Sequence, residues 1–139
     1  MAAVTVRVVE NKLLVGTDSN GHSIVIGKAP DDGSRFIGMK PSDLLLLAAA
    51  SCSAYDIVDI LNKQREPLAG LTVTCTGDQA SDPPYIFTKI HLHYQVRGKV
   101  KPTKLERAIE LSEQKYCSVI ASLKPGVPIS SDYDILDEE

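Results

Sequence analysis

The sequence lacks tryptophan and contains few aromatic residues of any kind. Its 139 residues include two Phe and five Tyr, which leaves little for stacking on nucleic-acid bases. The formal net charge of -3 also provides no general attraction for phosphate backbones or anionic lipid surfaces. We therefore expect neither a nucleic acid nor a membrane as a partner.

Long hydrophobic runs are also missing. The longest apolar run covers residues 44–50, far short of the roughly 18 residues that predict a membrane span. The first residues do not combine a basic start with an apolar block, so they predict no secretory signal. We expect a cytoplasmic protein. A chain of 139 residues that is 43% hydrophobic predicts a single folded domain over residues 1–139.

Cysteine is scarce, and common cofactor motifs are absent. The three cysteines are an odd number and do not predict a disulfide framework. The sequence contains no Gly-x-Gly-x-x-Gly, Walker or Gly-x-Ser-x-Gly motif, which disfavours dinucleotide, nucleotide and serine-hydrolase chemistry. We expect no metal and no other cofactor. The cysteines are then core residues or reactive thiols.

The hydrophobic pattern predicts an α+β fold: three strands, a long helix, two strands, a helix with a short helical extension, and a last strand. Period-2 alternation marks the strands, most clearly over residues 86–97, and the Asn20-Gly21 pair predicts a hairpin turn. Thr103 and Glu106 have the spacing of a capping box, which predicts a helix start. Strand runs separated by helices favour largely antiparallel sheets.

One long helix is predicted from Pro41 to about Arg65. Its first half, from Leu44 to Ala50, is apolar on every side, which is typical of a helix that is buried all round. A chain of this size can hardly wrap such a helix by itself. We therefore predict an intertwined homodimer, in which antiparallel sheets surround a long, buried central helix.

Cys52 and Cys117 are the residues that most strongly suggest chemistry. Each stands beside serine where an apolar helix becomes polar. If the two thiols meet, Cys52 can attack a peroxide, become a sulfenic acid and condense with Cys117 to a disulfide. Spacing alone favours the alternative that both cysteines fill the core, because cysteine is among the most buried residue types.

The charges near these thiols bear on their reactivity, because the thiolate is the nucleophile. Asp56 lies one helical turn after Cys52 and opposes its ionisation unless a cation intervenes. A helix that opens directly after Cys117 would favour the thiolate of that residue. A basic partner for Cys52 has to come from another segment, and Arg35 and Lys12 are the candidates.

Cys75 and the pair His91 and His93 have simpler explanations. Cys75 alternates with apolar residues in a predicted strand, which favours a core residue. His91 and His93 share one strand face, a spacing that can hold a metal, but Lys89 on the same face favours a solvated surface. A zinc site built from two cysteines and a histidine lacks a Cys-x-x-Cys pair and is disfavoured.

Three segments of the sequence resemble the OsmC/Ohr family. Residues 41–52, PSDLLLLAAASC, resemble the start of its central helix, and residues 87–94 resemble one of its strands. Residues 116–119, with the strand after Pro128, resemble its second cysteine segment. The context of residues 52–56 is more similar to the OsmC-like branch of the family than to its well-studied hydroperoxide reductases.

This resemblance implies an intertwined α+β homodimer with two sites at the dimer interface. It implies the reduction of organic hydroperoxides, and in some members of hydrogen peroxide, without metal or flavin, in defence against oxidative stress. Cys52 would be the peroxidatic cysteine and Cys117 the resolving one. The disulfide would be reduced by a dithiol, which in known members is often a lipoylated protein.

The sequence departs from the family pattern at two charged residues. The well-studied reductases carry a Glu directly after the helix-opening proline, where this chain has Ser42 followed by Asp43. They also carry an early Arg, for which no clear equivalent is found. Asp43, Arg35 and Asp56 are therefore the candidate supporting residues. Two alternatives to a peroxidase remain: a small-molecule-binding dimer with little or no catalysis, and a thiol redox sensor.

Overall fold

The computed structural model describes residues 2–137, and these residues form two compact units that divide between Leu45 and Leu46. The elements follow the predicted order, and the predicted α+β class is confirmed. The elements are β1 Thr5–Glu10, β2 Leu13–Thr17, β3 Ser23–Gly27, α1 Pro41–Lys63, β4 Leu68–Gln79, β5 Phe87–Gly98, α2 Pro102–Leu111, a π-helical turn Ser112–Tyr116, α3 Ser118–Leu123 and β6 Ile129–Leu136. The prediction of a single domain stays a prediction.

The first unit contains an antiparallel sheet in the order β1-β2-β3. The predicted hairpin turn lies between β2 and β3. Gly21 adopts a positive φ of 87° there, and Asp18 Oδ1 accepts the backbone N–H groups of Asn20 and His22, each at 2.8 Å. The residues of the turn therefore specify it locally, as the sequence predicts.

The second unit contains a sheet in the order β4-β5-β6, and one of its pairings corrects the sequence prediction. β4 and β5 pair antiparallel, but β6 pairs with β5 in parallel, with Ile90 opposite Ile129 and Val96 opposite Ile135. The prediction of antiparallel sheets is therefore wrong for β6. The helices between β5 and β6 return the chain along the sheet, so the last strand runs in the same direction as β5.

Strand β5 confirms the strand that the alternation of apolar and polar residues predicts. Ile90, Leu92, Tyr94 and Val96 are fully buried, and the last three of them pack in one core with the helices of the second unit. The buried helix and loop residues of this core are Ala49, Ala50, Ile57, Leu61, Val100, Leu105, Ala108, Ile109, Cys117 and Ile120. One of the two candidate cysteines, Cys117, is thus a core residue as well.

Helix α1 has almost the predicted length, but it is not buried on every side of the single chain. Ser53, Ile57 and Leu61 lie on its buried face, whereas Tyr55 is 81% exposed and Leu47 is 47% exposed. The rest of the second unit covers one face of the helix, and the predicted burial of the other faces in a homodimer stays a prediction. By length and composition α1 is apolar enough to cross a membrane, a criterion that core helices of soluble proteins also meet.

Helix α2 starts before the predicted capping box. Lys101 is the N-cap residue and makes no side-chain cap hydrogen bond, and Pro102 begins the helix. Proline is suited to this first position because its fixed φ is already helical. The predicted role of Thr103 as the cap is therefore wrong, since this residue lies inside the first turn.

Candidate functional site

Cys52 lies in the middle of α1, and Cys117 lies between the π-helical turn and α3. Cys52 is half-buried, whereas Cys117 is 2% exposed. The backbone N–H of Cys117 bonds to the carbonyl oxygen of Ser112 at 2.8 Å, five residues earlier, as in a π-helix. This wider turn sets the point at which Cys117 leaves the helix.

The fold brings the two cysteines together with Asp56. The Sγ atoms of Cys52 and Cys117 and a carboxylate oxygen of Asp56 all lie within 4.8 Å of one another. Asp56 follows Cys52 by four residues, so helical periodicity puts both side chains on one face of α1. Both cysteines are free thiols. The second unit by itself therefore holds a pair of neighbouring thiols beside a carboxylate.

The surroundings of Cys117 favour its protonated form. Burial, followed by a hydrogen bond with Cys52, raises the pKa of the Cys117 thiol to about 12. Cys117 also caps α3, and its Sγ accepts the backbone N–H of Ile120 at 3.4 Å. This bond lowers the pKa, as the sequence predicts for a helix that opens after Cys117, but burial is the larger effect.

A set of buried hydroxyl groups continues from Asp56. Ser112 Oγ donates to Asp56 Oδ2 at 3.0 Å and lies 2.9 Å from Ser53 Oγ. Ser53 Oγ lies 2.7 Å from the hydroxyl of Tyr94, which donates to Glu113 Oε2 at 3.2 Å. The residues Ser53, Ser112 and Tyr94 are each 0% exposed. We call these five residues the Asp56–Glu113 network.

Sequence reasoning missed four members of this network: Ser53, Tyr94, Ser112 and Glu113. A signal was nevertheless present. Ser112 continues the helical spacing of the buried residues Leu105 and Ala108, and Tyr94 lies on the apolar face of β5. A polar group on a buried face has to find a hydrogen-bond partner, so these residues could have been grouped as a buried polar set.

The other predicted supporting residues belong to the first unit. Asp43 lies in the first turn of α1. Arg35 Nη2 lies 4.0 Å from Asp31 Oδ2, and both side chains are exposed. The backbone carbonyl of Lys12 accepts the N–H of Lys28 at 3.0 Å. The support of Cys52 by Asp43, Arg35 or Lys12 stays a prediction.

His91 and His93 form a separate cluster with β6. His91 Nε2 and His93 Nδ1 each lie 2.8 Å from Asp132 Oδ1, and His93 Nε2 lies 3.5 Å from Asp134 Oδ2. The hydrogen bond to Asp132 raises the pKa of His93, and the hydrogen bonds to the two histidines lower the pKa of Asp132. These contacts tie β5 to β6.

Cys75 is a core residue and is not a member of the candidate pair. It is half-buried in β4 and packs against the core of the second unit. Burial raises the pKa of its thiol. Both observations agree with a core residue.

The cysteine pair is suited to two kinds of chemistry. Within residues 2–137, Cys52, Asp56 and Cys117 are the group whose ligand atoms lie close enough to hold a metal ion, and two sulfurs with a carboxylate suit a thiophilic cation such as Zn²⁺. The two sulfurs are also neighbours that could react with each other, for which they have to approach from within 4.8 Å to the separation of about 2.05 Å in a disulfide.

Comparisons relate the chain to known proteins. A sequence model of the family described as OsmC-like protein matches residues 31–132. Protein YhfA of Escherichia coli (strain K12) is 35% identical over 132 residues, which are 94% of this chain and 96% of YhfA.

Solved structures extend these similarities to the fold. A hypothetical protein from Aquifex aeolicus VF5 superposes with a TM-score of 0.89 at 29% identity, over 100% of this chain and 98% of that chain. An organic hydroperoxide resistance protein OsmC from Legionella pneumophila superposes with a TM-score of 0.72 at 15% identity, over 96% of each chain. The second likeness shows a shared fold.

Proposed function

The chain belongs to the OsmC-like protein family, and on that premise we propose that it is a thiol-dependent peroxidase that reduces organic hydroperoxides through Cys52 and Cys117. The observation that carries the proposal is the closeness of the two thiols, whose sulfur atoms lie within 4.8 Å of each other. Proteins of the same fold that are named for organic hydroperoxide resistance support an organic peroxide as the substrate, with hydrogen peroxide as a second one.

The unequal burial of the cysteines supports unequal roles. Cys52 is half-buried, whereas Cys117 is 2% exposed. The raised pKa of Cys117, about 12, keeps this second thiol protonated until a partner reacts with it. Cys52 is therefore the proposed peroxidatic residue and Cys117 the proposed resolving residue.

The proposed cycle balances in three steps. The thiolate of Cys52 attacks one oxygen of the peroxide, the O–O bond breaks, and the alcohol leaves with the proton that the thiol released. The sulfur of Cys117 then attacks the sulfenic sulfur, an S–S bond forms, and the hydroxyl leaves as water with the Cys117 proton. An external dithiol finally reduces this disulfide and is itself oxidised to a disulfide.

The proposed cycle also requires a reductant and a reducing cellular compartment. We propose a homodimer, a dithiol reductant such as a lipoylated protein, and a cytoplasmic location, because the cycle needs a compartment that restores thiols. Asp43 and Arg35 are the proposed charged supports of Cys52, since the chain has Ser42 where the well-studied reductases have Glu.

A count of free thiols tests the proposed peroxidase. One equivalent of cumene hydroperoxide should consume two thiols per reduced chain and leave Cys75 free, because the proposed cycle joins the neighbouring thiols of Cys52 and Cys117. Peptide mass spectrometry should locate the new disulfide between Cys52 and Cys117. The same amount of hydrogen peroxide should react more slowly.

Three variants assign the roles. Cys52→Ser should lose no thiol, and Cys117→Ser should stop at a sulfenic acid on Cys52. Cys75→Ser is the matched control, because it removes a half-buried thiol outside the pair and should react like the wild type. Survival of all three thiols in excess peroxide would overturn the proposed activity. Rapid exchange with other disulfides but slow reaction with peroxide would favour a redox sensor instead.

A further inference from the structure

Cys52, Asp56 and Cys117 offer three ligand atoms to a cation at one point of the second unit. The two Sγ atoms and one carboxylate oxygen all lie within 4.8 Å of one another. Two sulfur ligands of a single tetrahedral Zn²⁺ lie about 3.8 Å apart, since each Zn–S bond is about 2.3 Å long. The upper limit of 4.8 Å is thus only about 1 Å greater than the spacing that one bound cation requires.

The chemistry of these ligand atoms selects the kind of cation. Mg²⁺ and Ca²⁺ prefer sites that consist of oxygen ligands, whereas thiolate sulfur favours softer cations such as Zn²⁺. Zn²⁺ takes four ligands in a tetrahedron, and sites with three protein ligands leave the fourth position to water or another small molecule. Two sulfurs and one carboxylate oxygen therefore match a zinc site with one open position.

Hydrogen bonds from neighbouring groups hold two of the three ligands. Ser112 Oγ donates to Asp56 Oδ2 at 3.0 Å, and the backbone N–H of Ile120 donates to Cys117 Sγ at 3.4 Å. Ser112 is itself 0% exposed and lies 2.9 Å from Ser53 Oγ. Ligands of metal sites in proteins typically have such partners, which fix the orientation of the ligand. The surroundings of the three residues thus suit a metal site as well as the ligand atoms do.

Asp56 also connects the site with solvent. It lines a cavity of about 500 Å³ together with Asp59, Lys63 and Tyr116. Lys63 Nζ lies 3.1 Å from Asp59 Oδ2, so the positive charge in this cavity is paired with a carboxylate. A cation that enters the cavity therefore meets the carboxylate of Asp56 before it reaches the enclosed sulfur of Cys117.

We propose that Cys52, Asp56 and Cys117 bind Zn²⁺ in the reduced protein, and that the bound cation protects the two thiols from peroxide. The protection regulates the proposed peroxidase and rests on that function, whereas the binding of the cation rests on the ligand geometry. Zn²⁺ acts here as an inhibitor and not as a cofactor, so the expectation of a peroxidase that works without metal is unchanged.

Binding and oxidation exclude each other because they use the same two sulfur atoms. On binding, each thiol loses its proton, and both thiolates donate an electron pair to Zn²⁺. A peroxide that oxidises the loaded pair has to break both Zn–S bonds as the S–S bond forms. Two protons are then taken up, the peroxide leaves as alcohol and water, and Zn²⁺ is released unchanged. Bound Zn²⁺ thus slows oxidation, and oxidation expels Zn²⁺.

Optical titration of the reduced full chain with Co²⁺ under argon tests the site. Co²⁺ that is bound by thiolates absorbs in the near ultraviolet through charge transfer from sulfur, and tetrahedral Co²⁺ adds visible bands. We expect both signals to saturate at one cation per chain. Zn²⁺, which favours tetrahedral thiolate sites, should remove them, and Mg²⁺ should not. A missing charge-transfer band, or saturation at one cation per two chains, would overturn the site.

Variants of the ligands and of their neighbour assign the site. Ser112→Ala should weaken the binding of Co²⁺ about 10- to 100-fold, the usual effect of losing a residue that orients a metal ligand. Loss of a ligand in Cys52→Ser, Cys117→Ser or Asp56→Asn should weaken binding further. Wild-type affinity in Asp56→Asn would overturn the three-ligand site.

Two matched controls remove similar groups outside the site. Asp59→Asn changes a carboxylate of the same helix that lines the same cavity, and Cys75→Ser removes the third thiol of the chain. Both variants should bind Co²⁺ like the wild type. A charge-transfer band that Cys75→Ser removes would place the bound cation elsewhere and overturn the proposal.

The protection is measured separately from the binding. With free Zn²⁺ at 100 times its dissociation constant, about 1% of the chains are without the cation, so cumene hydroperoxide should consume thiols about 100-fold more slowly. A chelator should restore the rate. Unchanged consumption in the loaded protein would overturn the protection. If the metal-free chain does not react with peroxide but the Co²⁺ results hold, the proposed peroxidase function fails while the cation site stands.

Discussion

Two thiols of the same chemical type acquire different properties from their surroundings. Cys117 is enclosed by the core and caps α3, whereas Cys52 is half-buried on α1. Burial disfavours the charged thiolate, so the thiol of the enclosed residue keeps its proton. The asymmetry suits a pair in which one sulfur reacts first and the other follows.

Alkylation of the reduced protein measures this asymmetry. We expect iodoacetamide to modify Cys52 first and Cys117 at least about tenfold more slowly, because the thiolate is the reactive form and the pKa of Cys117 is raised from 9.0 to about 12. Mass spectrometry of quenched samples gives the order. In urea all three cysteines should react alike, and equal rates for the two residues in the folded chain would contradict the expectation.

The π-helical turn is the element that assembles the candidate site. Ser112 and Glu113, its first two residues, enter the Asp56–Glu113 network, and Cys117 follows the turn directly. A regular α-helix over the same residues would rotate the later side chains differently. One wider turn thus determines which groups face Asp56.

The parallel pairing of β5 with β6 is supported by charge. His93 and Asp132 stand opposite each other in the register and share a hydrogen bond of 2.8 Å. The pKa of His93 is raised and that of Asp132 is lowered, so each group favours folding in its charged form. This element therefore predicts a dependence of stability on pH.

His93→Gln tests that dependence. The stability from Asp132 is present above its usual pKa of 3.8 and is lost as the pH falls through its lowered value. The stability from His93 is fully present below its usual pKa of 6.5 and is lost as the pH rises through its raised value. Urea unfolding should therefore separate the variant from the wild type most between these two usual values, by a small amount because the pair is exposed.

A variant of Asp132, the residue that pairs with His93, and measurements at alkaline pH provide the controls. Asp132→Asn should change stability in the same direction and over the same pH range as His93→Gln, because both changes remove the His93–Asp132 pair. Asp132→Asn also removes the contact with His91, and His93→Gln also removes the contact with Asp134. The curves of wild type and both variants should approach one another above the raised pKa of His93. A constant difference across the whole pH range would attribute the effect to packing instead.

At the scale of the whole molecule, the single chain exposes apolar surface that a soluble protein normally covers. Tyr55, Leu47 and Val58 of α1 are 81%, 47% and 37% exposed. Large exposed apolar patches mark interfaces with proteins or membranes. The proposed homodimer accounts for this surface by burying it against a second copy.

Substitution of one exposed residue tests the proposed dimer. Sedimentation analysis should find a dimer for the wild type and a larger monomer fraction for Tyr55→Glu, because a charge at a buried interface is unfavourable. Tyr85→Glu is the control, since Tyr85 is exposed in the connection between β4 and β5 and its variant should stay dimeric. A monomeric wild type would contradict the proposed dimer.

The sequence by itself determined the local structure and the family. The alternation of apolar and polar residues specified β5, and the Asn20-Gly21 pair specified a hairpin turn. The segments around Cys52 and Cys117 indicated the OsmC-like family. These features depend on neighbours along the chain, where backbone geometry and side-chain periodicity act directly.

Only the tertiary structure decided the direction of β6, the meeting of the thiols and the Asp56–Glu113 network. Each of these depends on contacts between residues far apart in sequence, such as Ser53 with Ser112 at 2.9 Å. No local pattern reports a hydrogen bond that forms when separate elements pack. The same packing enclosed Cys117 but left Cys52 half-buried, because one sheet and two short helices cover a single face of α1.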